Sequence, residues 1–213
     1  MLKHLKIIFL HCLPQHALSR LIYLLARIEF KPFKNLLIKL FIHAFNVDMS
    51  IAEQENPDDY KSFNAFFTRK LKKNVRKIIT NDNFILSPVD GAISQIGYIK
   101  KYQLLQAKNK NYTLEQLLGG DSNLANIFLN GSFATLYLSP RDYHRIHMPV
   151  SGKLVKSIYV PGNLFPVNKI GVENVDQLFS RNERFISIFE TCHGMMAQIM
   201  IGAVLVGSME TVW

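Results

Sequence analysis

The chain reads F-I-S-I-F-E-T-C-H-G-M-M-A-Q-I-M-I-G-A-V-L-V over residues 185–206, and this stretch decides the fold class. It contains two apolar, β-rich runs, residues 185–189 and 195–206, with Gly194 between them. Short runs of this kind, bounded by Gly, Pro or Asn, predict strands. The same texture extends back to residue 84, so we expect a mostly antiparallel β-rich core. Further strands are predicted at residues 127–129, 133–138 and 154–160.

The first 47 residues have a helical pattern instead. Apolar side chains recur every three or four positions over residues 18–28 and again over residues 33–45, after the pair Lys31-Pro32. This spacing places them on one face of a helix, and proline separates two helices. Helices first and strands later define an α+β fold. We therefore expect amphipathic helices in residues 1–47 and a β-rich core in residues 48–213.

Positive charge is concentrated at the N-terminus. The net charge is +9; residues 1–80 hold 14 basic and 6 acidic residues, whereas residues 81–213 hold 11 and 10. Amphipathic helices with cations on the polar face can lie in the headgroup region of an anionic membrane. Within residues 1–47, the longest uncharged run, residues 7–19, is shorter than the roughly 20 apolar residues of a spanning helix. We expect peripheral membrane association; the alternative is that these helices only pack on the core.

Two histidines lie in the run Y-L-S-P-R-D-Y-H-R-I-H-M-P-V-S-G, residues 137–152. Ser-Pro ends the preceding strand, and Pro149 and Gly152 bound the far side, so His144 and His147 lie on a short constrained segment. Histidine changes its protonation state near neutral pH, which suits proton transfer. A purely structural, hydrogen-bonded role is the alternative for either residue.

A carboxylate, Asp90, lies in the turn L-S-P-V-D-G-A, residues 86–92. Aspartate before glycine is ordinarily a turn former. The functional alternative is that Asp90 orients a histidine that in turn deprotonates a serine hydroxyl.

Other patterns carry less information. A basic run at residues 70–77 is typical of a solvated face, and a phospholipid headgroup contact is the sharper interpretation. Aromatic residues do not interleave with the basic ones, so we expect no nucleic-acid partner. Cys12 and Cys192 are far apart and no Cys/His cluster has ligand spacing, so we expect no metal site and no disulfide.

Together these runs resemble the phosphatidylserine decarboxylase family, in its bacterial membrane-associated type. Five further blocks occur in family order and extend the resemblance over almost the whole chain. They are S-F-N-A-F-F-T-R-K-L (residues 62–71), I-S-Q-I-G (93–97), Y-V-P-G-N-L-F-P-V-N (159–168), R-N-E-R (181–184) and V-G-S-M-E-T-V-W (206–213).

The resemblance implies an enzyme that decarboxylates phosphatidylserine to phosphatidylethanolamine at the cytoplasmic side of the cell membrane, with a curved β core. Its cofactor is a pyruvoyl group, made when a proenzyme cleaves itself before the serine of a Leu-Gly-Ser-Thr motif. The pyruvoyl ketone forms a Schiff base with the substrate amine and accepts the electrons that carbon dioxide leaves behind. By position, Asp90 and His147 match the residues that activate the cleavage serine, and His144 matches a pocket histidine that assists decarboxylation.

The sequence departs from the family in one respect, because it contains no Leu-Gly-Ser-Thr. Ser208 follows a glycine, but only five residues come after it, too few for a separate subunit. We therefore expect the pyruvoyl-forming serine to lie beyond Trp213, in a small subunit of the same proenzyme. The chain then corresponds to a large-subunit region with an incomplete core, inactive by itself.

Two other function classes stay open. An inactive fragment that acts only as a membrane-binding module would account for residues 1–47. A serine hydrolase would use Asp90, His147 and Ser208, although the chain has no Gly-x-Ser-x-Gly motif for its nucleophile.

Overall fold

A computed structural model describes residues 14–79, 83–107 and 110–213 of the chain. No helix in these three ranges is long and apolar enough to cross a bilayer. Residues 1–13 of the predicted membrane-associated segment lie outside the described ranges. The functional division after residue 47 stays a prediction.

The chain divides into two compact units. One comprises residues up to 20, 93–137 and 152–213, and we call it the strand unit. The other comprises residues 21–92 and 138–151, and we call it the helix unit.

Two long helices and a short aromatic helix form most of the helix unit. Helix α1, Gln15–Ala26, enters this unit at Leu21. Helix α2, Lys31–Phe45, has proline in its first turn and ends where Asn46 adopts φ 53°, and α3 is Phe63–Phe67. A 3₁₀ turn, Pro57–Asp59, lies between α2 and α3. These bounds confirm both N-terminal amphipathic helices.

A small apolar core stabilises the helix unit. Ile38 of α2 and Phe66 of α3 are fully buried, together with Val47 and Tyr60. The Ser62 hydroxyl starts α3 by accepting a hydrogen bond from the Ala65 amide, a standard N-cap. The chain that leaves α3 is therefore fixed in place.

In the described part of the strand unit, seven strands form three small sheets. A three-stranded antiparallel sheet has the order β5-β6-β7, with a bulge between Leu154 and Lys156. Strands β2 and β3 form an antiparallel pair, and β1 pairs with β4. The bounds are β1 Ala92–Tyr98, β2 Gln103–Ala107, β3 Lys110–Thr113, β4 Ser132–Tyr137, β5 Gly152–Val160, β6 Arg184–Thr191 and β7 Gly194–Ile201. Helices first and antiparallel strands later confirm the α+β class.

Four short helices complete this unit: α4 Leu114–Leu117, α5 Ser122–Ile127, α6 Lys169–Asn174 and α7 Leu178–Arg181. The predicted strand at residues 127–129 is wrong. Asp121 caps α5 by accepting from the Leu124 amide, and the apolar run forms the end of that helix and a turn. Short apolar runs do not distinguish a strand from a buried helix end.

Two buried polar side chains in the strand unit, Asn182 and Arg184, form several hydrogen bonds each, whereas the Ser187 hydroxyl has no partner among the described residues. Asn182 is fully buried, accepts from the Phe165 amide and donates to the carbonyls of Phe165 and Gly202. Arg184, 2% exposed, donates to four backbone carbonyls. These bonds join helix ends and loops to the β5-β6-β7 sheet.

Candidate acid–base site

A polar turn holds the histidine segment in the helix unit. The Asp142 carboxylate accepts from the Ser139 amide at 2.6 Å and from the Ser139 hydroxyl at 2.8 Å. The Asp142 amide donates back to the Ser139 carbonyl at 2.9 Å. Pro140 inside this turn cannot donate to a strand ladder. The turn therefore leads the chain out of β4 into the irregular segment that carries both histidines.

Two backbone hydrogen bonds bring the aspartate run beside this segment. The His147 amide donates to the Pro88 carbonyl, and the Leu86 amide donates to the Pro149 carbonyl, both at 2.9 Å. The three predicted site residues thus lie in one unit, on two neighbouring lengths of chain. Which chemical role each has is a separate question.

Asp90 is held by Arg76. The Arg76 Nε lies 2.9 Å from each carboxylate oxygen, and its Nη2 donates to Oδ2 at 2.6 Å. This hydrogen bonding raises the pKa of Arg76. Among the described residues, no hydrogen bond joins Asp90 directly to His147. Arg76 belongs to the basic run for which the sequence indicates a solvated face or a phospholipid headgroup contact, so no local signal could have identified it as the partner of Asp90.

His147 contacts a buried tyrosine. Its Nε2 lies 2.9 Å from the Tyr143 hydroxyl, and the two rings stack with centroids 5.6 Å apart. Burial raises the pKa of Tyr143, and the negative charge of Asp90 adds to that rise. The Tyr143 phenol is therefore protonated at neutral pH. It is affected by the charge of Asp90 and is hydrogen-bonded to the His147 ring. Tyr143 stands in the motif but was not singled out from sequence.

His144 is half-buried against α3. Its Nδ1 lies 2.8 Å from the Asp142 carbonyl, and its ring centroid lies 4.0 Å from that of Phe67. Because a carbonyl only accepts, Nδ1 carries the hydrogen and the neutral ring has its lone pair at Nε2. Burial lowers the pKa of His144, and the charge of Arg69 lowers it further, while the bond to Asp142 opposes both. Its Nε2 has no hydrogen-bond partner among the described residues.

These contacts bring together side chains that can donate and accept protons. The first is the neutral imidazole of His144, whose Nε2 has no partner among the described residues. The second is the His147 imidazole, which is hydrogen-bonded to the Tyr143 hydroxyl, and the third is the Asp90 carboxylate, which Arg76 holds. Within the described ranges, no three His, Cys, Asp or Glu side chains are grouped as a metal site would need. Ser208, the serine of the hydrolase alternative, is exposed in the strand unit.

The fold is α+β and the candidate site groups side chains capable of acid–base chemistry, and comparisons with known proteins specify the family. The family model described as phosphatidylserine decarboxylase matches residues 63–212, and a second, described as PSD, matches residues 5–46. The chain therefore belongs to the phosphatidylserine decarboxylase family, which confirms the resemblance seen in the sequence.

Curated relatives support the assignment along the full chain. A phosphatidylserine decarboxylase proenzyme of Alkalilimnicola ehrlichii is 52% identical over 212 residues, which are 100% of this chain and 74% of the relative. Proteins of the same name from Photobacterium profundum and Pseudoalteromonas atlantica are each 50% identical over 213 residues. Those alignments cover 100% of this chain and 73% and 74% of the relatives.

Proposed function

We propose that this chain supplies the proton-transfer residues of an enzyme that decarboxylates phosphatidylserine, giving phosphatidylethanolamine and carbon dioxide. The observation that carries the proposal is His144, a half-buried neutral imidazole with a bare Nε2. Family membership gives the reaction class, a carboxy-lyase of phospholipid biosynthesis.

A pyruvoyl group would supply the electron sink that the side chains of this site cannot provide. Loss of carbon dioxide leaves an electron pair on the amine-bearing carbon, and His, Asp and Tyr side chains move protons but cannot delocalise that pair. A pyruvoyl group, when bound, supplies the electron sink. None of the 213 residues lies in a Leu-Gly-Ser-Thr motif. We therefore assign the pyruvoyl-forming serine to a small subunit cut from the same proenzyme, beyond Trp213.

His144 moves the proton of the reaction at Nε2. The amine of phosphatidylserine is an ammonium at neutral pH and must lose a proton before it can react as a nucleophile. A neutral imidazole accepts that proton and can return it to the substrate carbon after carbon dioxide leaves. The overall reaction takes up one proton from solvent, which restores the ammonium of the product. The contact with Phe67 and the bond to the Asp142 carbonyl fix the ring for this transfer.

His147 and Asp90 serve the earlier self-cleavage. His147 is the base that takes the proton of the cleavage serine, and a nearby carboxylate stabilises the imidazolium that forms. The charge of Asp90 acts on the Tyr143 hydroxyl, which contacts His147. This arrangement supports a role for Asp90 exerted through Tyr143.

Peripheral binding to an anionic membrane is the second part of the proposal. Exposed apolar side chains on α1 and α2 support it, among them Leu24 and Leu36, each 60% exposed. Leu24→Glu and Leu36→Glu should reduce sedimentation with phosphatidylglycerol vesicles, whereas Val155→Glu, at an exposed position of the strand unit, should not. Undiminished sedimentation of both helix variants would contradict membrane binding through these helices.

Release of carbon dioxide from carboxyl-labelled phosphatidylserine tests the reaction. The chain is assembled with a downstream segment that carries Leu-Gly-Ser-Thr. His144→Ala should leave self-cleavage intact and lower turnover by about 10²- to 10⁴-fold, as loss of a proton-transfer group does. His193→Ala, at an exposed turn of the strand unit, is the matched control. Normal turnover of His144→Ala would refute the assigned role.

A further inference from the structure

Arg69, just after α3, is a buried arginine with most of its hydrogen-bonding capacity unused. It is 2% exposed, and its Nη2 donates to the Arg141 carbonyl at 3.1 Å. Its Nε and Nη1 have no hydrogen-bond partner among the described residues, and solvent does not reach them. The Phe66 ring lies beneath the guanidinium, 5.4 Å from Cζ. A buried charge so poorly paired is unfavourable for folding and requires another explanation.

The end of α3 contacts the histidine segment through three consecutive residues. The Phe67 ring packs on His144, and the Thr68 carbonyl accepts from Arg145 Nε at 2.8 Å. Arg69 adds its bond to the Arg141 carbonyl. Residues 141–145 are therefore fastened to α3 on both sides of His144, and Arg69 makes the contact on the N-terminal side.

The guanidinium also contributes a positive charge that acts on His144, in addition to the effect of burial. Two charged groups act on this imidazole: Arg69 from α3, and Asp142 from its own segment. The Asp142 carboxylate is occupied by the amide and hydroxyl of Ser139. The charge of Arg69 is neutralised by no direct ion pair among the described residues. It therefore opposes protonation of His144 in a site where burial weakens screening.

We propose that Arg69 is a positioning residue for decarboxylation, which fixes the segment that carries His144 and holds its imidazole in the neutral, proton-accepting form. This inference rests on the proton-transfer role proposed for His144. It assigns a function to a buried charge that a single backbone hydrogen bond leaves poorly paired. A direct contact with the substrate is not part of the role, because Nε and Nη1 are covered.

Titration of His144 by NMR in the full chain tests the inference without requiring activity. Arg69→Met removes the charge and should raise the pKa of His144, because a neighbouring positive charge disfavours the imidazolium. Arg69→Lys keeps the charge and should keep the pKa low. Lys70→Met removes an exposed charge one residue away and is the matched control. The ring-current shift that Phe67 imposes on His144 reports whether the segment stays in place.

Two outcomes would overturn the inference. One is a wild-type pKa of His144 in Arg69→Met; the other is an equal rise in Arg69→Met and Arg69→Lys, which would mean that the charge of Arg69 does not hold the imidazole neutral. In the assembled enzyme, the acidic limb of the kcat profile should move to higher pH in Arg69→Met and stay in place in Arg69→Lys. Full activity of His144→Ala would refute the proposed function, whereas the titration of His144 would still decide what Arg69 does.

Discussion

The two units each bury one arginine to the same extent, but the two guanidinium groups differ in how many hydrogen bonds they form. Arg184 in the strand unit and Arg69 in the helix unit are both 2% exposed, and burial lowers the pKa of both. Arg69 makes one hydrogen bond, to the Arg141 carbonyl. Arg184 donates to the carbonyls of Gln116, Leu117, Ser180 and Asn182, at 2.6 to 2.9 Å.

This difference in hydrogen bonding suits the two arginines to different roles, a structural one for Arg184 and a functional one for Arg69. A guanidinium that satisfies four carbonyls joins parts of the backbone, and its removal leaves buried acceptors without donors. A guanidinium that satisfies one carbonyl contributes little to folding, yet it places a positive charge beside His144. We therefore expect the buried arginine of the strand unit to serve stability and the buried arginine of the helix unit to affect the protonation of His144.

Replacing each arginine by methionine should give the largest contrast. Arg184→Met should lower the free energy of unfolding by about 3 kcal/mol or more, because each buried acceptor left unpaired costs about 1–3 kcal/mol. Arg69→Met should change it by less than about 1 kcal/mol, because the lost bond is offset by removal of a poorly paired buried charge. Urea denaturation measures both. Equal destabilisation by the two substitutions would break the comparison.

A smaller contrast is expected between two tyrosines. The Tyr143 hydroxyl contacts His147 in the helix unit, and the Tyr159 hydroxyl donates to Glu183 in the strand unit. Tyr143→Phe removes one hydrogen bond to the proposed base and should slow self-cleavage by roughly 5- to 10-fold, equivalent to about 1 kcal/mol. Tyr159→Phe should leave the cleavage rate unchanged. Gel analysis of cleavage with time decides, and equal slowing in both variants would argue against a specific role for Tyr143.

The sequence predicts the secondary-structure elements and the candidate acid–base residues better than it predicts which side chains contact each other. Periodicity predicts α1, α2 and most strands, and histidine chemistry selects His144 and His147. Arg69 and Arg76 could not be selected, because both look like ordinary cations of a basic region. Their partners, Arg141 and Asp90, lie 72 and 14 residues away along the chain. Such pairs depend on how the chain folds back, which local patterns do not encode.

The smallest expected effect is a pH dependence of stability that links Arg69 to His144. Because the pKa of folded His144 lies below the ordinary value of 6.5, the unfolded chain takes up a proton first as the pH falls. The contribution of His144 to the free energy of unfolding is therefore fully present above about pH 6.5. It is lost below that pH, at no more than about 1.4 kcal/mol per pH unit for one proton.

Urea denaturation at pH 7.5 and pH 5 should show a smaller loss of stability in His144→Gln than in the wild-type chain. Arg69→Met should reduce the loss in the same direction, because it brings the pKa of His144 closer to its unfolded value, whereas Arg184→Lys should retain the wild-type dependence. A loss that is the same in all four proteins would mean that the charge of Arg69 does not reach His144.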